Sequence, residues 1–130
     1  MSSSSVTVYV CICCGAGGEG RDLYKDVGAR AHELSIDALF VPVECLSACG
    51  QPATVAFVAK GRWSYVARGL AGMGAVDSLF RAIRLYAEFA EGAIPWQLRP
   101  PFLKQGLVAR LPPMATAEEF NPIKRTYQKL

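Results

Sequence analysis

Two β-rich runs separated by one helix-length segment constrain the fold of this chain more than any other feature. Residues 6–12 (VTVYVCI) and 37–44 (DALFVPVE) are rich in β-branched and apolar residues, which favour strands. Residues 22–34 (DLYKDVGARAHEL) lie between them and predict an amphipathic helix with Asp22 as its N-cap. Its apolar positions are Leu23, Val27, Ala31 and Leu34. A strand–helix–strand unit implies two parallel neighbouring strands, and we expect the second to be buried on both faces.

The next part of the chain predicts a hairpin and a second helix. Residues 53–70 contain two β-rich runs on either side of Lys60 and Gly61, which indicates a tight turn. Residues 75–92 then show helical periodicity, and Gly92 is expected to stop the helix. The apolar face of this helix consists of Val76, Leu79, Phe80, Ile83, Tyr86, Ala87 and Ala90. The predicted fold class is therefore α/β, a thioredoxin-like β-α-β-β-β-α core with a mixed sheet.

The remaining residues predict a proline-rich arm. Of the eight prolines, six lie in residues 93–130. We expect the thioredoxin-like domain to cover residues 1–94 and an extended C-terminal arm to cover residues 95–130. Trp96, Phe102 and Leu107 would pin the arm to the domain or to a neighbouring subunit. On the fourth strand, Trp63 and Tyr65 share one face, which either belongs to the core or is covered by the arm, or else forms an aromatic docking patch near the cysteine-bearing loop.

Composition and charge exclude several classes of function. The chain of 130 residues is 52% hydrophobic, enough to bury a core, yet it has no run of 18 apolar residues that would span a membrane. The start of the sequence does not resemble a secretory signal, so a cytoplasmic location is predicted. A net charge of +3 is too dilute for nucleic-acid binding. In a reducing cytoplasm, five cysteines favour metal binding or catalysis over disulfides.

The cysteines form two close pairs, each at the carboxyl end of a predicted strand. Cys11 and Cys14 follow the first strand, and Cys45 and Cys49 follow the second. Neighbouring parallel strands lie about 4.8 Å apart, so the four thiolates are expected to converge on one metal centre. The additional Cys13 is either a buried small hydrophobic residue or a ligand in place of Cys14.

Four thiolates bind either zinc or an iron–sulfur cluster. The residues around the cysteines are small and expose backbone amides that can donate hydrogen bonds to cluster sulfur, which favours an iron–sulfur cluster. These loop residues are Gly15, Ala16, Gly17, Gly18, Gly20, Ser47, Ala48 and Gly50. Gly15, Gly17, Ser47 and Gly50 are therefore predicted to be cofactor-binding together with the cysteines. The alternative is a four-thiolate zinc or cobalt carrier or sensor.

Two other chemistries fit the same residues less well. Thiol–disulfide exchange requires a cysteine at a helix N-terminus, whereas four glycines here separate the cysteines from the first predicted helical residue. Residues 15–20 match the G-x-G-x-x-G pattern of dinucleotide-binding loops, with Glu44 as the ribose-binding acid, but the pyrophosphate would occupy the place where the sulfurs converge. The single histidine, His32, lies within the first helix and is expected to be structural.

Four segments of the sequence resemble one bacterial family. They are VCICC, PVECLSACGQPATVAF, GRWSYVARGL and GAIPWQLRPPFLKQGLVARLPP. Together they resemble the DUF1636 family of predicted metal-binding proteins, which is related to thioredoxin-like [2Fe-2S] ferredoxins, over residues 6–113. In that family a further cysteine often stands where this chain has Ala53. Some members are encoded beside cobalamin-biosynthesis genes, so the resemblance implies electron delivery to that or another metal-cofactor pathway.

The residues and the resemblance together predict a ferredoxin-like electron-transfer protein. One [2Fe-2S] cluster would be held by Cys11, Cys14, Cys45 and Cys49, and the protein would exchange electrons with a redox partner protein. No enzymatic activity of its own is expected. Since thioredoxin-like ferredoxins are often homodimers, the resemblance also implies a homodimer.

Overall fold

A computed structural model describes residues 6–13, 17–48 and 50–114 of the chain. These residues form five strands and two helices, and three short 3-10 helices lie between the second helix and the last strand. The strands are β1 (Thr7–Cys11), β2 (Leu39–Val43), β3 (Val55–Val58), β4 (Ser64–Ala67) and β5 (Leu107–Leu111). The helices are α1 (Glu19–Leu34) and α2 (Ala75–Glu88).

The five strands form one mixed sheet in the order β2-β1-β3-β4-β5. β1 and β2 are parallel, as the strand–helix–strand pattern predicts, with Cys11 opposite Val43. All other neighbours are antiparallel, and the hairpin between β3 and β4 turns at residues 59–62, with Gly61 at a φ of 73°. The predicted β-α-β-β-β-α order is therefore confirmed.

The prediction that β2 is buried on both faces was wrong. β2 is an edge strand, and Leu39 exposes 62% of its surface. Pro42 is also exposed, in keeping with the preference of proline for edge strands, where its missing N–H breaks no ladder. An apolar run of eight residues does not distinguish an edge strand from a central one, because strand order depends on pairing with distant residues.

Both helices differ from the prediction at one end. α1 begins at Glu19, and Gly18 is its N-cap with a φ of 80°, so Asp22 lies in the first turn and does not cap the helix. α2 ends at Glu88, one turn before Gly92. The expected inner positions Ala87 and Ala90 are exposed.

A side chain from the hairpin contacts this early end of α2. The Arg62 guanidinium donates hydrogen bonds to the carbonyl oxygens of Tyr86 at 2.8 Å and Phe89 at 2.9 Å. A cation at the C-terminus of a helix satisfies the last carbonyls and interacts favourably with the helix dipole. This long-range contact therefore stabilises the end of α2 at Glu88, whereas helical periodicity alone predicts a longer helix.

One face of the sheet carries the hydrophobic core, and both helices pack on it. Leu23 and Val27 of α1 lie in the same buried cluster as Phe80 and Tyr86 of α2. The strand residues of this cluster include Val8, Val10, Val55, Phe57, Tyr65 and Ala67, which share one face by register. The helices also meet directly, since Arg30 of α1 forms a 2.8 Å ion pair with Asp77 of α2.

The first half of the predicted arm adds to the sheet. Phe102 is buried against the Phe57 ring at a centroid distance of 6.3 Å, and Leu107 packs partly buried on the core. β5 then pairs with β4, a strand for which the sequence shows no distinct signal. Trp96, the third expected anchor, is 54% exposed. Residues 115–130 of the arm lie outside the described part of the chain.

Trp63 and Tyr65 lie under the first half of the arm, as one of the two interpretations requires. The Arg110 guanidinium of β5 lies 4.1 Å from the centroid of the Trp63 ring and 5.3 Å from that of Tyr65. The Tyr65 hydroxyl is buried, donating to the Gly92 carbonyl at 2.7 Å and accepting from the Ile94 amide at 3.0 Å. The patch lies at the opposite end of β4 from the cysteines, so it does not adjoin the metal loop.

Candidate metal centre

The cysteine-bearing loops lie along one edge of the sheet, the edge formed by strand ends. β1, β2 and β4 end there, while β3 and β5 begin there; we call it the cysteine edge. Cys11 is the last residue of β1 and has no exposed surface. Its Sγ lies 3.6 Å from the carbonyl oxygen of Glu44, the residue that precedes Cys45. The first cysteine therefore contacts the loop that carries the second pair.

Backbone and side-chain hydrogen bonds hold the two loops together. The amide of Ile12 donates to the Val43 carbonyl, and the amide of Cys11 donates to the Thr54 carbonyl, both at 2.9 Å. The buried Thr54 hydroxyl donates to the Ala48 carbonyl at 2.7 Å. The loop after β2 is thus fixed at both of its ends, over the ends of β1 and β3.

Within this loop a backbone amide points at a cysteine sulfur. The N–H of Ser47 donates to the Sγ of Cys45 over 3.2 Å. Ser47 has a φ of 59°, the left-handed region in which the chain turns sharply back on itself. Amide donors of this kind stabilise negative charge on a thiolate. The contact of Ser47 with the cysteine is therefore made by its backbone, which agrees with the small-residue pattern of the loop.

The exposure of the cysteines differs between the two loops. Cys11 is buried, whereas Cys13 and Cys45 are exposed. Cys13 does not fit the buried-residue interpretation, because its side chain reaches solvent. A sulfur centre between these loops would therefore have one side in the protein interior and one side open to solvent.

Three of the predicted site residues, Cys14, Gly15 and Cys49, lie outside the described residues. Among residues 6–13, 17–48 and 50–114, no group of three or more cysteine, histidine or acidic side chains is close enough to hold a metal ion. Two of the four predicted sulfur ligands are not in that part of the chain. The ligand set accordingly stays a prediction.

The structure also places the two described glycines of the site. Gly17 lies beside the carboxylate of Glu19, so that an added Cβ would sit 3.3 Å from its Oε1. Gly50 lies beside the guanidinium of Arg68, with an added Cβ 3.1 Å from Nη1. The absence of a side chain at Gly50 lets this cation approach the loop backbone closely.

Arg68 is a feature of the site that the sequence patterns did not indicate. It follows β4 directly, and antiparallel pairing through β3 returns the end of β4 to the cysteine edge. Its backbone amide donates to the Gly106 carbonyl at 2.8 Å, which fixes its position. The hairpin in the sequence could have indicated the position of Arg68, because antiparallel pairing places the residue after β4 at the same edge as the residue after β1.

The described geometry also bears on thiol–disulfide exchange and on the single histidine. α1 begins one turn earlier than predicted, yet Cys13 still lies six residues before Glu19, outside the first turn of the helix. A thioredoxin-type activation by the helix dipole needs the sulfur within that turn. His32 is exposed in the last turn of α1, at the end of the helix far from the cysteine edge.

The sheet order, the parallel first pair and the helix packing define a thioredoxin-like fold. The solved structure of a thioredoxin-like [2Fe-2S] ferredoxin from Aquifex aeolicus is similar, with a TM-score of 0.53 and 15% sequence identity. The match covers 88% of this chain and 100% of the ferredoxin chain.

The sequence profile of one family, described as "Protein of unknown function (DUF1636)", matches residues 8–113. The chain therefore belongs to the DUF1636 family. None of the curated proteins matches its sequence. Within the described residues, neither helix has the length and apolar character needed to cross a bilayer.

Proposed function

We propose that this protein is an electron carrier that binds one [2Fe-2S] cluster through Cys11, Cys14, Cys45 and Cys49. One observation carries the proposal: the Sγ of Cys11 contacts the Glu44 carbonyl, so the two cysteine-bearing loops adjoin at one edge of the sheet. The similar solved structure from Aquifex aeolicus is that of a [2Fe-2S] ferredoxin, which supports the same cofactor class.

The residues of the site suit a thiolate-bound cluster. Thiolate ligands carry negative charge, and the Ser47 amide already donates a hydrogen bond to the Cys45 sulfur. The Arg68 cation beside Gly50 lies next to the second loop and lowers the cost of negative charge there. Both features would raise the reduction potential of a bound cluster.

A bound [2Fe-2S] cluster would supply one-electron exchange, and the chain would supply its ligands and surroundings. Cys11 has no exposed surface, which limits access of water to its sulfur. The exposed Cys45 marks the side on which a redox partner protein would approach. No substrate is transformed by the protein on this proposal, so it is not an enzyme by itself, and it would act in the cytoplasm.

Metal analysis of protein purified under anaerobic conditions tests the proposal. We expect iron and acid-labile sulfide in equal amounts, a red-brown colour, and visible absorption that bleaches reversibly on reduction. Zinc without sulfide, in a colourless protein, would overturn the cluster and favour a four-thiolate zinc module. Reduction of insulin disulfides by a metal-free protein would instead favour a thiol oxidoreductase. The link to cobalamin biosynthesis stays a prediction of the family resemblance.

A further inference from the structure

The face of the sheet opposite the helices is apolar and uncovered by the described residues; we call it the open face. By strand alternation and register, it is formed by Thr7, Tyr9, Leu39, Val41, Val43, Ala56, Val58, Ser64, Val66, Ala109 and Leu111. None of these residues belongs to the buried core cluster or packs against it. Among these described strand positions there is no charged side chain.

Large apolar side chains of the open face are exposed. Leu39 exposes 62% of its surface, Leu111 60% and Val58 37%. They lie on β2, β5 and β3, so the exposed surface extends across the whole width of the sheet. Exposed apolar side chains spread over one sheet face normally have a binding partner, because their exposure to water is costly.

The chain itself carries a segment that starts at this face. β5 is an edge strand that ends at Leu111 on the open face. Three further residues lead to Met114, and residues 115–130 come directly after it. Five strands span about 19 Å from the first axis to the last, at about 4.8 Å per neighbour. Sixteen residues span about 24 Å even as a helix, so the segment is long enough to cross the sheet.

The sequence of this segment matches an apolar surface. Its large apolar residues recur at intervals of three, four and three positions, which is the spacing of one face of a helix. They are Phe120, Ile123, Tyr127 and Leu130. The cations Lys124, Arg125 and Lys129 lie between the apolar positions and would face solvent.

We propose that residues 115–130 of the same chain bind across the open face, with their apolar stripe against the strands. Covalent attachment beside β5 gives the segment a high effective concentration at this face, which a second copy in solution does not have.

Photo-cross-linking in the full chain tests the proposal. p-Benzoylphenylalanine is placed at Val66, in the middle of the open face, and in a matched control at Arg81, on the exposed side of α2. We expect the Val66 probe to cross-link to peptides within residues 115–130 in a product that runs as a monomer, and the Arg81 probe not to. A cross-linked dimer, or tail peptides recovered equally from both probes, would overturn the proposal.

A dye-binding measurement on full-length variants provides a second test that does not depend on the probe. The triple variant F120S/I123S/Y127S should uncover the open face and increase the fluorescence of 8-anilinonaphthalene-1-sulfonate severalfold, with unchanged far-ultraviolet circular dichroism. The control K124S/R125S/K129S should leave the dye signal unchanged. Equal dye binding by the two variants would show that the apolar stripe does not cover the face, whatever the metal content.

Discussion

The hydroxyl of Thr54 donates a 2.7 Å hydrogen bond to the carbonyl oxygen of Ala48 in a fully buried environment. The carbonyl of Thr54 in turn accepts a 2.9 Å hydrogen bond from the amide of Cys11. One residue at the start of β3 therefore holds the end of β1 with its backbone and the loop after β2 with its side chain. The relative position of the two cysteine loops depends on this pair of bonds.

Thr54→Val should lower the free energy of unfolding by about 1–3 kcal/mol, because it leaves the buried Ala48 carbonyl without this donor at nearly constant volume. Urea denaturation of the metal-free protein measures the change. Thr54→Ser keeps the hydroxyl and should retain most of the stability that valine loses. A valine variant as stable as the parent would contradict the role assigned to this bond.

Single cysteine-to-serine variants should separate the sulfurs into two classes. Cys11→Ser and Cys45→Ser each remove a proposed ligand and should reduce the visible absorption per chain by at least about tenfold, in line with ligand loss from thiolate centres. Cys13→Ser should retain the absorption, since Cys13 is proposed as the surplus sulfur. Far-ultraviolet circular dichroism checks that each variant is folded. Loss of the chromophore in Cys13→Ser alone would reassign the ligand set.

Two glycine-to-alanine changes should act in opposite directions. At Gly106 an added Cβ would overlap the Arg68 carbonyl oxygen, so Gly106→Ala should separate β5 from β4 and cost about 3 kcal/mol. Gly28, in the middle of α1, has open space around an added Cβ, so Gly28→Ala should stabilise the protein by about 0.5–1 kcal/mol. Thermal unfolding of both variants beside the parent compares the two effects, and equal melting temperatures would contradict the close approach at Gly106.

Stability should fall in alkaline solution because of Tyr86. Burial raises the pKa of Tyr86 to about 12 from an ordinary value of 10.0, although the nearby Arg62 cation lowers it. Between pH 10 and pH 12 the unfolded chain has lost the phenol proton that the folded chain keeps. Folding is therefore less favourable as pH rises through this window, by about 2–3 kcal/mol in total.

Tyr86→Phe isolates this contribution. The variant loses the hydrogen bond from the Tyr86 hydroxyl to the Trp63 carbonyl, which should cost about 1 kcal/mol at neutral pH. It should also show a shallower decline in stability above pH 10, measured by urea denaturation from pH 8 to pH 11.5. An identical pH dependence in parent and variant would place the effect on another group.

Local patterns in the sequence predicted the elements with short-range causes. The β-rich runs and the helical spacing of Leu23 and Val27 predicted the strand–helix–strand unit, since side-chain periodicity is a property of neighbouring residues. Parallel pairing then followed from chain connectivity, and with it the expectation that the cysteine loops adjoin. The contact of Cys11 with Glu44 agrees with that expectation.

Most of the features that the sequence did not predict depend on distant residues. The edge position of β2, the pairing of β5 with β4 and the early end of α2 under Arg62 each involve residues far apart in the chain. The approach of Arg68 to Gly50 is of the same kind. Periodicity carries no information about which strand pairs with which, because hydrogen bonding between strands is made by backbone groups that every residue shares.

The sequence by itself thus determined the order of the elements from β1 to α2, the fold class and the cysteine residues available at two strand ends. Only the tertiary structure decided that Cys11 is buried against the second loop while Cys45 faces solvent, and that one face of the sheet has no described cover. The reason is physical: burial is a sum over neighbours from the whole chain, whereas secondary-structure preference is set within a few residues.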